Sequence, residues 1–140
     1  FVELYNGGTI RLSEFVNRKP DKDILLSIII RKGKRQFRYQ SVRRTKTDFP
    51  VIACAVVTGI VHGKESWYIS VGARPMKAAL LEKHWEIPDD ASEEEIAKYA
   101  SEAAAEFTYG TNMRGSADYR RHLAEVLLRR EISSILAERR

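Results

Sequence analysis

Val51-Ile-Ala-Cys-Ala-Val-Val-Thr-Gly-Ile-Val61 is the stretch on which the fold turns. It is almost wholly apolar, and the β-branched pair Val56 and Val57 favours a strand over a helix. Its small residues, Ala53, Cys54 and Ala55, leave room for a helix to pack closely above it. A hairpin turn follows at His62-Gly63-Lys64-Glu65. Ser66 to Gly72 then alternates Trp67, Ile69 and Val71 against Ser66, Tyr68 and Ser70, the period of a half-buried strand. Upstream, Gln36 to Arg43 sets Phe37, Tyr39, Ser41 and Arg43 opposite Gln36, Arg38, Gln40 and Val42, which suits a strand with one wetter face. Before it, Ile24 to Arg31 is a near-continuous aliphatic run, read as a strand buried on much of both faces. The expected arrangement is an antiparallel meander of about four strands.

Beyond Gly72 the pattern changes to a helical period. Pro75 suits a first helical turn, and Ala78, Leu81 and His84/Trp85 follow at helical spacing until Ile87-Pro88. Ser92-Glu-Glu-Glu95 is a capping box opening a second helix through Ile96, Tyr99, Ala100, Ala103 and Phe107. Tyr109 to Gly115 reads as a loop. A last helix starts near Ser116, with Tyr119, Leu123, Val126/Leu127 and Arg130 on one face, and runs on through Ile132 and Ile135/Leu136. Strands first and helices after predict an α+β domain, about three helices lying on one face of the sheet.

The first residues form a separate small hairpin, Phe1 to Leu12, turning at Asn6-Gly7. A lone hairpin is marginal in water, so it reads as the end of a sheet whose other strands lie elsewhere. A stub at Ser13-Glu14-Phe15-Val16 and a turn at Lys19-Pro20-Asp21 follow. The chain opens on Phe1, as expected of a processed chain or a piece of a longer one.

Composition sets outer limits. The 140 residues are 44% hydrophobic and 31% charged, an ordinary globular mix, with a net charge of +5. A single cysteine, Cys54, excludes an internal disulfide framework and a cysteine-rich metal site. His62, His84 and His122 share no ligand spacing. No apolar run approaches the ~18 residues of a membrane-spanning helix, and no signal-peptide pattern opens the chain. A cytoplasmic protein is expected. Gly59-x-x-x-Gly63-Lys64-Glu65 is one residue short of a phosphate loop and has Glu where a magnesium-binding Ser or Thr belongs. No Gly-x-Ser-x-Gly elbow occurs.

Two clusters could carry function. In Phe37-Arg-Tyr-Gln-Ser-Val-Arg-Arg-Thr-Lys-Thr-Asp-Phe-Pro50, Arg38, Arg43, Arg44 and Lys46 crowd one strand and its loop, and Asp48 is near enough in sequence to neutralise one of them. This is either a solvated basic face or an anion, flavin or docking edge. In Asn112-Met-Arg-Gly-Ser-Ala-Asp-Tyr-Arg-Arg-His122, Gly115-Ser116 gives a turn and an N-cap, and Asp118 suits the first helical turn. Arg114 could pair with Asp118 or cap a neighbouring element.

Taken in this order, the two clusters resemble the flavin subunits of molybdenum hydroxylases, the family of xanthine dehydrogenases, aldehyde oxidases and carbon monoxide dehydrogenases. Val42-Arg-Arg-Thr-Lys-Thr-Asp-Phe-Pro-Val51 is similar to that family's Arg-Arg-x-x-x-Asp-Ile-Ala-Val segment. Asn112 to Arg130 is similar to its Asp-x-Arg-Gly-Ser-x-x-Tyr-Arg segment, the more specific of the two. Tyr68-Ile-Ser-Val-Gly-Ala-Arg-Pro-Met-Lys-Ala79 resembles, in shortened form, a step lying between them. Phe-Pro in place of Ile-Ala, and Asn112 in place of Asp, are the departures.

The resemblance implies a division into residues 1–19, a terminal hairpin and linker left from a preceding FAD-binding subdomain, and 20–140, the flavoprotein C-terminal domain. It implies a lid over the flavin ring of FAD, with Leu25 against the ring and Phe37 or Tyr39 near it. Arg38 would be the nearest cation, tuning the ring's potential. No residue would act as acid, base or nucleophile. Electrons would pass from a molybdopterin centre through [2Fe–2S] clusters on partner subunits to FAD, then to NAD or another acceptor. The competing reading is a basic aromatic sheet for single-stranded nucleic acid, using Lys32, Lys34, Arg35, Arg38, Arg43, Arg44 and Lys46 with Phe37 and Tyr39.

Overall fold

The computed structural model describes residues 1–19 and 21–140, with Val61 described by its backbone alone. Two compact units divide the chain, Phe1–Lys34 and Arg35–Arg140.

In the first unit the expected hairpin is β1 (Val2–Leu4) and β2 (Gly8–Ile10). A short helix α1 (Leu12–Asn17) and a strand β3 (Leu25–Ile28) follow. Asp23 clamps the hairpin turn. One carboxylate oxygen accepts from the Asn6 N–H at 2.9 Å and the other from the Gly7 N–H at 2.8 Å. These amides, Asn6 foremost, hold the Asp23 carboxyl below its ordinary pKa. The turn expected at Lys19-Pro20-Asp21 falls, at Pro20, outside the described residues.

The aliphatic run from Ile24 departs from expectation. It does not join the meander. Its strand, β3, pairs antiparallel with β1 in a three-stranded sheet of order β2-β1-β3. Nor is it buried on two faces: Ile24, Leu25, Leu26 and Ile28 are all exposed. An aliphatic run records only that a strand wants cover, and it does not say which sheet will take the strand.

The second unit holds the meander. Strands β4 (Gln36–Val42), β5 (Ile52–Val61), β6 (Lys64–Gly72) and β7 (Ala79–Lys83) pair in sequence order, each antiparallel to the last. His62 (φ 51°) and Gly63 (φ 77°) make the two-residue turn between the paired residues Val61 and Lys64. The fourth strand is the second correction. Ala79–Lys83 was expected to be helical and is a strand, with Leu81 opposite Ile69 and Ala79 opposite Val71. Ala-Leu-Leu-Glu-Lys is a helix-forming composition, but the exposed edge of β6 offers a ladder of hydrogen bonds, and tertiary pairing outweighs so short a preference.

Two helices cover one face of this sheet. α2 (Glu93–Ala105) starts at the expected capping box, with the Ser92 side chain accepting from the Glu95 N–H while the Glu95 carboxylate accepts from the Ser92 N–H. α3 (Ala117–Ala137) starts at Ser116, whose hydroxyl accepts from the Tyr119 N–H at 3.2 Å. The expected stripe of α3 holds at Leu127, Ile132, Ile135 and Leu136, with Leu123 packed beside it, but not at its two polar ends. Tyr119 and Arg130 are exposed, while Arg120, Ala124, Leu127, Leu128, Glu131, Ile132, Ile135 and Leu136 are buried. Arg120 and Glu131 interrupt the apolar repeat, and a pattern reading sends such residues to solvent. Against this stripe pack Ile52, Cys54 and Val56 of β5, Trp67, Ile69 and Val71 of β6, and Trp85 and Ile87 beyond β7. Lys83 ties β7 to α2 through Glu102 at 3.0 Å and Glu106 at 3.2 Å.

Candidate functional site: the open face of the four-stranded sheet

Strand alternation leaves the other face of the second unit's sheet without a helix. Among the residues that point away from α2 and α3 are Phe37, Tyr39 and Ser41 on β4, Ala53, Ala55 and Val57 on β5, Tyr68 and Ser70 on β6, and Leu80 and Glu82 on β7. The register sets them in cross-strand rows. Phe37 lies opposite Val57 and then Tyr68, and Tyr39 opposite Ala55 and then Ser70. Small side chains thus floor the middle of the face, with aromatic rings along one flank. Phe37 is 55% exposed and Tyr39 52%. Partial burial raises the Tyr68 phenol above its ordinary pKa, and the neighbouring Glu82 carboxylate adds to the effect, so it stays a neutral hydrogen-bonding group.

Of the four residues expected to meet a cofactor, only Phe37 and Tyr39 share this surface. Arg38 points the opposite way. Its Nε donates to the Ser134 hydroxyl at 2.8 Å, its Nη1 to the Phe37 carbonyl at 2.8 Å, and it forms an ion pair with Glu138, the residue that caps the end of α3. Leu25 belongs to the first unit and is 43% exposed there. The sequence did not single out the floor residues Ala55 and Ser70 as part of such a face, nor the rim residue Leu80, which is 63% exposed. The period-two pattern of β5 and β6 carried that signal. A helical period from Pro75 to Trp85 gives Leu80 no place on a sheet face.

The arginine motif lies at one end of the sheet and is structural. Arg120 is fully buried. Its Nε donates to the Val51 carbonyl at 2.9 Å and its Nη1 to the Gly110 carbonyl at 2.7 Å. It also donates to the Gly115 carbonyl and, at 2.5 Å, to the Asn112 side-chain oxygen. The loop before α3 is thereby fastened to the start of β5. Gly115 fits because a Cβ there would stand 3.2 Å from the Tyr119 ring and 3.3 Å from Val51. Arg114 pairs with Asp48 at 3.5 Å, not with Asp118, and its guanidinium lies 5.4 Å from the centre of the Phe49 ring. Asp48 therefore neutralises Arg114 and none of the cations on its own strand and loop. Among the described residues no group of His, Cys, Asp and Glu could hold a metal ion. No described helix is long and apolar enough to cross a membrane.

A helix-backed antiparallel sheet with an open, aromatic-edged face, preceded by a hairpin unit, defines a class of α+β domains. Residues 37–135 match the family model of the CO dehydrogenase flavoprotein C-terminal domain. The chain belongs to that family, the C-terminal domain of molybdenum hydroxylase flavoproteins. Solved structures share the fold at low identity. Quinoline 2-oxidoreductase from Pseudomonas putida 86 superposes with a TM-score of 0.65 at 19% identity, over 83% of this chain and 42% of that one. Carbon monoxide dehydrogenase from Hydrogenophaga pseudoflava gives 0.53 at 22%, over 71% and 36%. The reconstituted CO dehydrogenase from Oligotropha carboxidovorans gives 0.55 at 22%, over 74% and 37%. The chain thus spans well under half the length of these solved chains. No curated protein matches it.

Proposed function

We propose that this chain is the lid portion of an FAD-carrying subunit in a molybdopterin-dependent dehydrogenase. The observation that carries the reading is the open face of the second unit. Family membership supports the cofactor, and the residues suit its ring: Ala55 and Ser70 make a shallow floor, and Phe37 and Tyr39 stand beside it. These residues suit the ring, and the pyrophosphate is left to other parts of the flavoprotein. When bound, the flavin would supply the electron relay between [2Fe–2S] clusters on a partner subunit and an acceptor such as NAD.

The chain's own residues would bind and shield. Phe37 and Tyr39 would exclude water from one edge of the ring, and the Tyr39 hydroxyl would offer a hydrogen bond at the rim. Arg38 would act from behind the sheet, its bonds to Ser134 and Glu138 holding β4 against α3 and so fixing both aromatic side chains. The resemblance assigns Leu25 to the same ring. The exposed aliphatic row of β3 supports a reading in which another part of the flavoprotein covers it. The molybdopterin and iron–sulfur centres would reside on the partner subunits.

The test is flavin retention. In the full flavoprotein, Phe37→Ala with Tyr39→Ala should lower flavin content and raise flavin fluorescence while the fold is kept. The isolated 140-residue chain should bind FAD weakly or not at all in a micromolar titration. Tight stoichiometric binding by the isolated chain, or full retention by the double variant, would remove this reading.

A further inference from the structure

The two loops at the Arg120 end of the second unit, 43–50 and 108–116, form one braced platform. Phe49 is 74% exposed and Met113 84%, large apolar groups that a free surface rarely presents together. They are neighbours. The Arg44 guanidinium donates to the Met113 carbonyl at 3.2 Å, and Arg114 bridges Asp48 and the Phe49 ring. Arg120 fastens the same loop from beneath. Around the apolar pair stand Arg43, Arg44 and Lys46, all exposed. Arg43 and Arg44 spend donors on Ser41 and on backbone carbonyls. Among the described residues no carboxylate lies within ion-pair distance of any of the three.

Exposed Phe and Met, framed by arginines and held in place before any partner arrives, have the composition of an interface centre. Preorganisation lowers the ordering cost of association. We propose that this platform docks an acidic face of another subunit of the same complex. That face would carry an apolar recess for Phe49 and Met113 ringed by carboxylates for Arg43, Arg44 and Lys46. The inference rests on the function proposed above, because it needs a partner subunit. Charge complementarity selects an acidic protein surface: the three cations lack internal counter-charges, while the apolar pair between them suits a recess better than a phosphate backbone.

The experiment uses the whole flavoprotein subunit co-produced with its molybdenum-centre and iron–sulfur partners. One variant combines Arg44→Glu with Lys46→Glu, the second Phe49→Ser with Met113→Ser. A control reverses two exposed charges elsewhere, Lys98→Glu with Arg129→Glu. Association is read as subunit stoichiometry on size exclusion across a salt series, beside flavin content and thermal melting. Both platform variants should weaken association at least tenfold, with flavin content and melting kept, while the control assembles like wild type. Should the serine pair fail to fold, the charge-reversal pair, made at exposed side chains, decides. Wild-type assembly of the platform variants with unchanged salt dependence would overturn this proposal alone. A wild-type subunit with neither flavin nor partners would overturn the function beneath it as well. Salt-steep binding of a single-stranded oligonucleotide, lost on charge reversal, would assign the platform to nucleic acid instead.

Discussion

The Nε of Arg120, on the first turn of α3, donates to the carbonyl oxygen of Val51 at the entrance to β5, 2.9 Å away and 69 residues earlier in the chain. That bond joins the second unit's longest strand to its longest helix. The remaining donors of the same guanidinium hold three groups of the intervening loop. All four acceptors are neutral, so the charge is solvated by carbonyl dipoles in place of a carboxylate.

Removing this group would leave several acceptors without a partner at a buried site. Arg120→Ala should cost about 3–5 kcal/mol of unfolding free energy. Arg120→Lys should recover little of it, since an ammonium cannot span a forked set of acceptors. Urea unfolding of the three proteins measures both. A lysine variant as stable as wild type would show that charge alone, and not the fork, is what the site requires.

Glu131 gives the fold a pH dependence. It is fully buried on α3, and neither carboxylate oxygen has a hydrogen-bond partner. Burial pushes its pKa from 4.5 up to about 8. In the unfolded chain the group ionises near 4.5, so between there and about 8 the native state holds one more proton. Stability should therefore fall as pH rises through that window and level off above it. Glu131→Gln should abolish that share of the slope and be more stable than wild type at pH 9, by a few kcal/mol. Denaturant titrations from pH 5 to 9 compare the two; parallel curves would refute it.

Gly110 has no room for a side chain. A Cβ there would stand 2.7 Å from Cδ of Pro75, which belongs to the β6–β7 connection. The Gly110 N–H also donates to the Arg74 carbonyl at 2.5 Å. Gly110→Ala should push the two loops apart and destabilise the second unit by about 1–3 kcal/mol. Gly63→Ala is the comparison, since no atom within 4 Å would meet its Cβ and only its positive φ resists. A Gly110→Ala melting temperature equal to wild type would show that the loops move freely.

The joint between the units should be the first point of proteolysis. Arg31, Lys32, Lys34 and Arg35 are all exposed and flank the boundary at Lys34/Arg35. Brief trypsin treatment should release a resistant fragment starting at or near Gln36 and ending near the C-terminus. Mass spectrometry identifies the cuts. Earliest cleavage within β5 or α3 would contradict the division.

The strands of the meander were legible wherever side chains alternate. Trp67, Ile69 and Val71 announced their buried face, and Phe37 and Tyr39 a shared exposed one. Caps were legible too, because Ser92 and Ser116 act on amides only three residues away. The Leu25 strand and the Ala79 strand were not. Each satisfies its backbone in a ladder chosen by a strand far off in sequence or by a free edge, and local composition does not encode that choice.

What the sequence by itself determined was the α+β class, the hairpins, the starts of the last two helices at Ser92 and Ser116 and, through Arg114-Gly-Ser-x-x-Tyr-Arg120, the family. Only the tertiary structure decided that Arg38 turns its back on Phe37, that Arg120 and Glu131 enter the core, and that Asp48 meets Arg114. Short-range periodicity fixes which side of a strand or helix a residue occupies. The charge, hydrogen bond or apolar surface waiting on that side comes from residues tens of positions away.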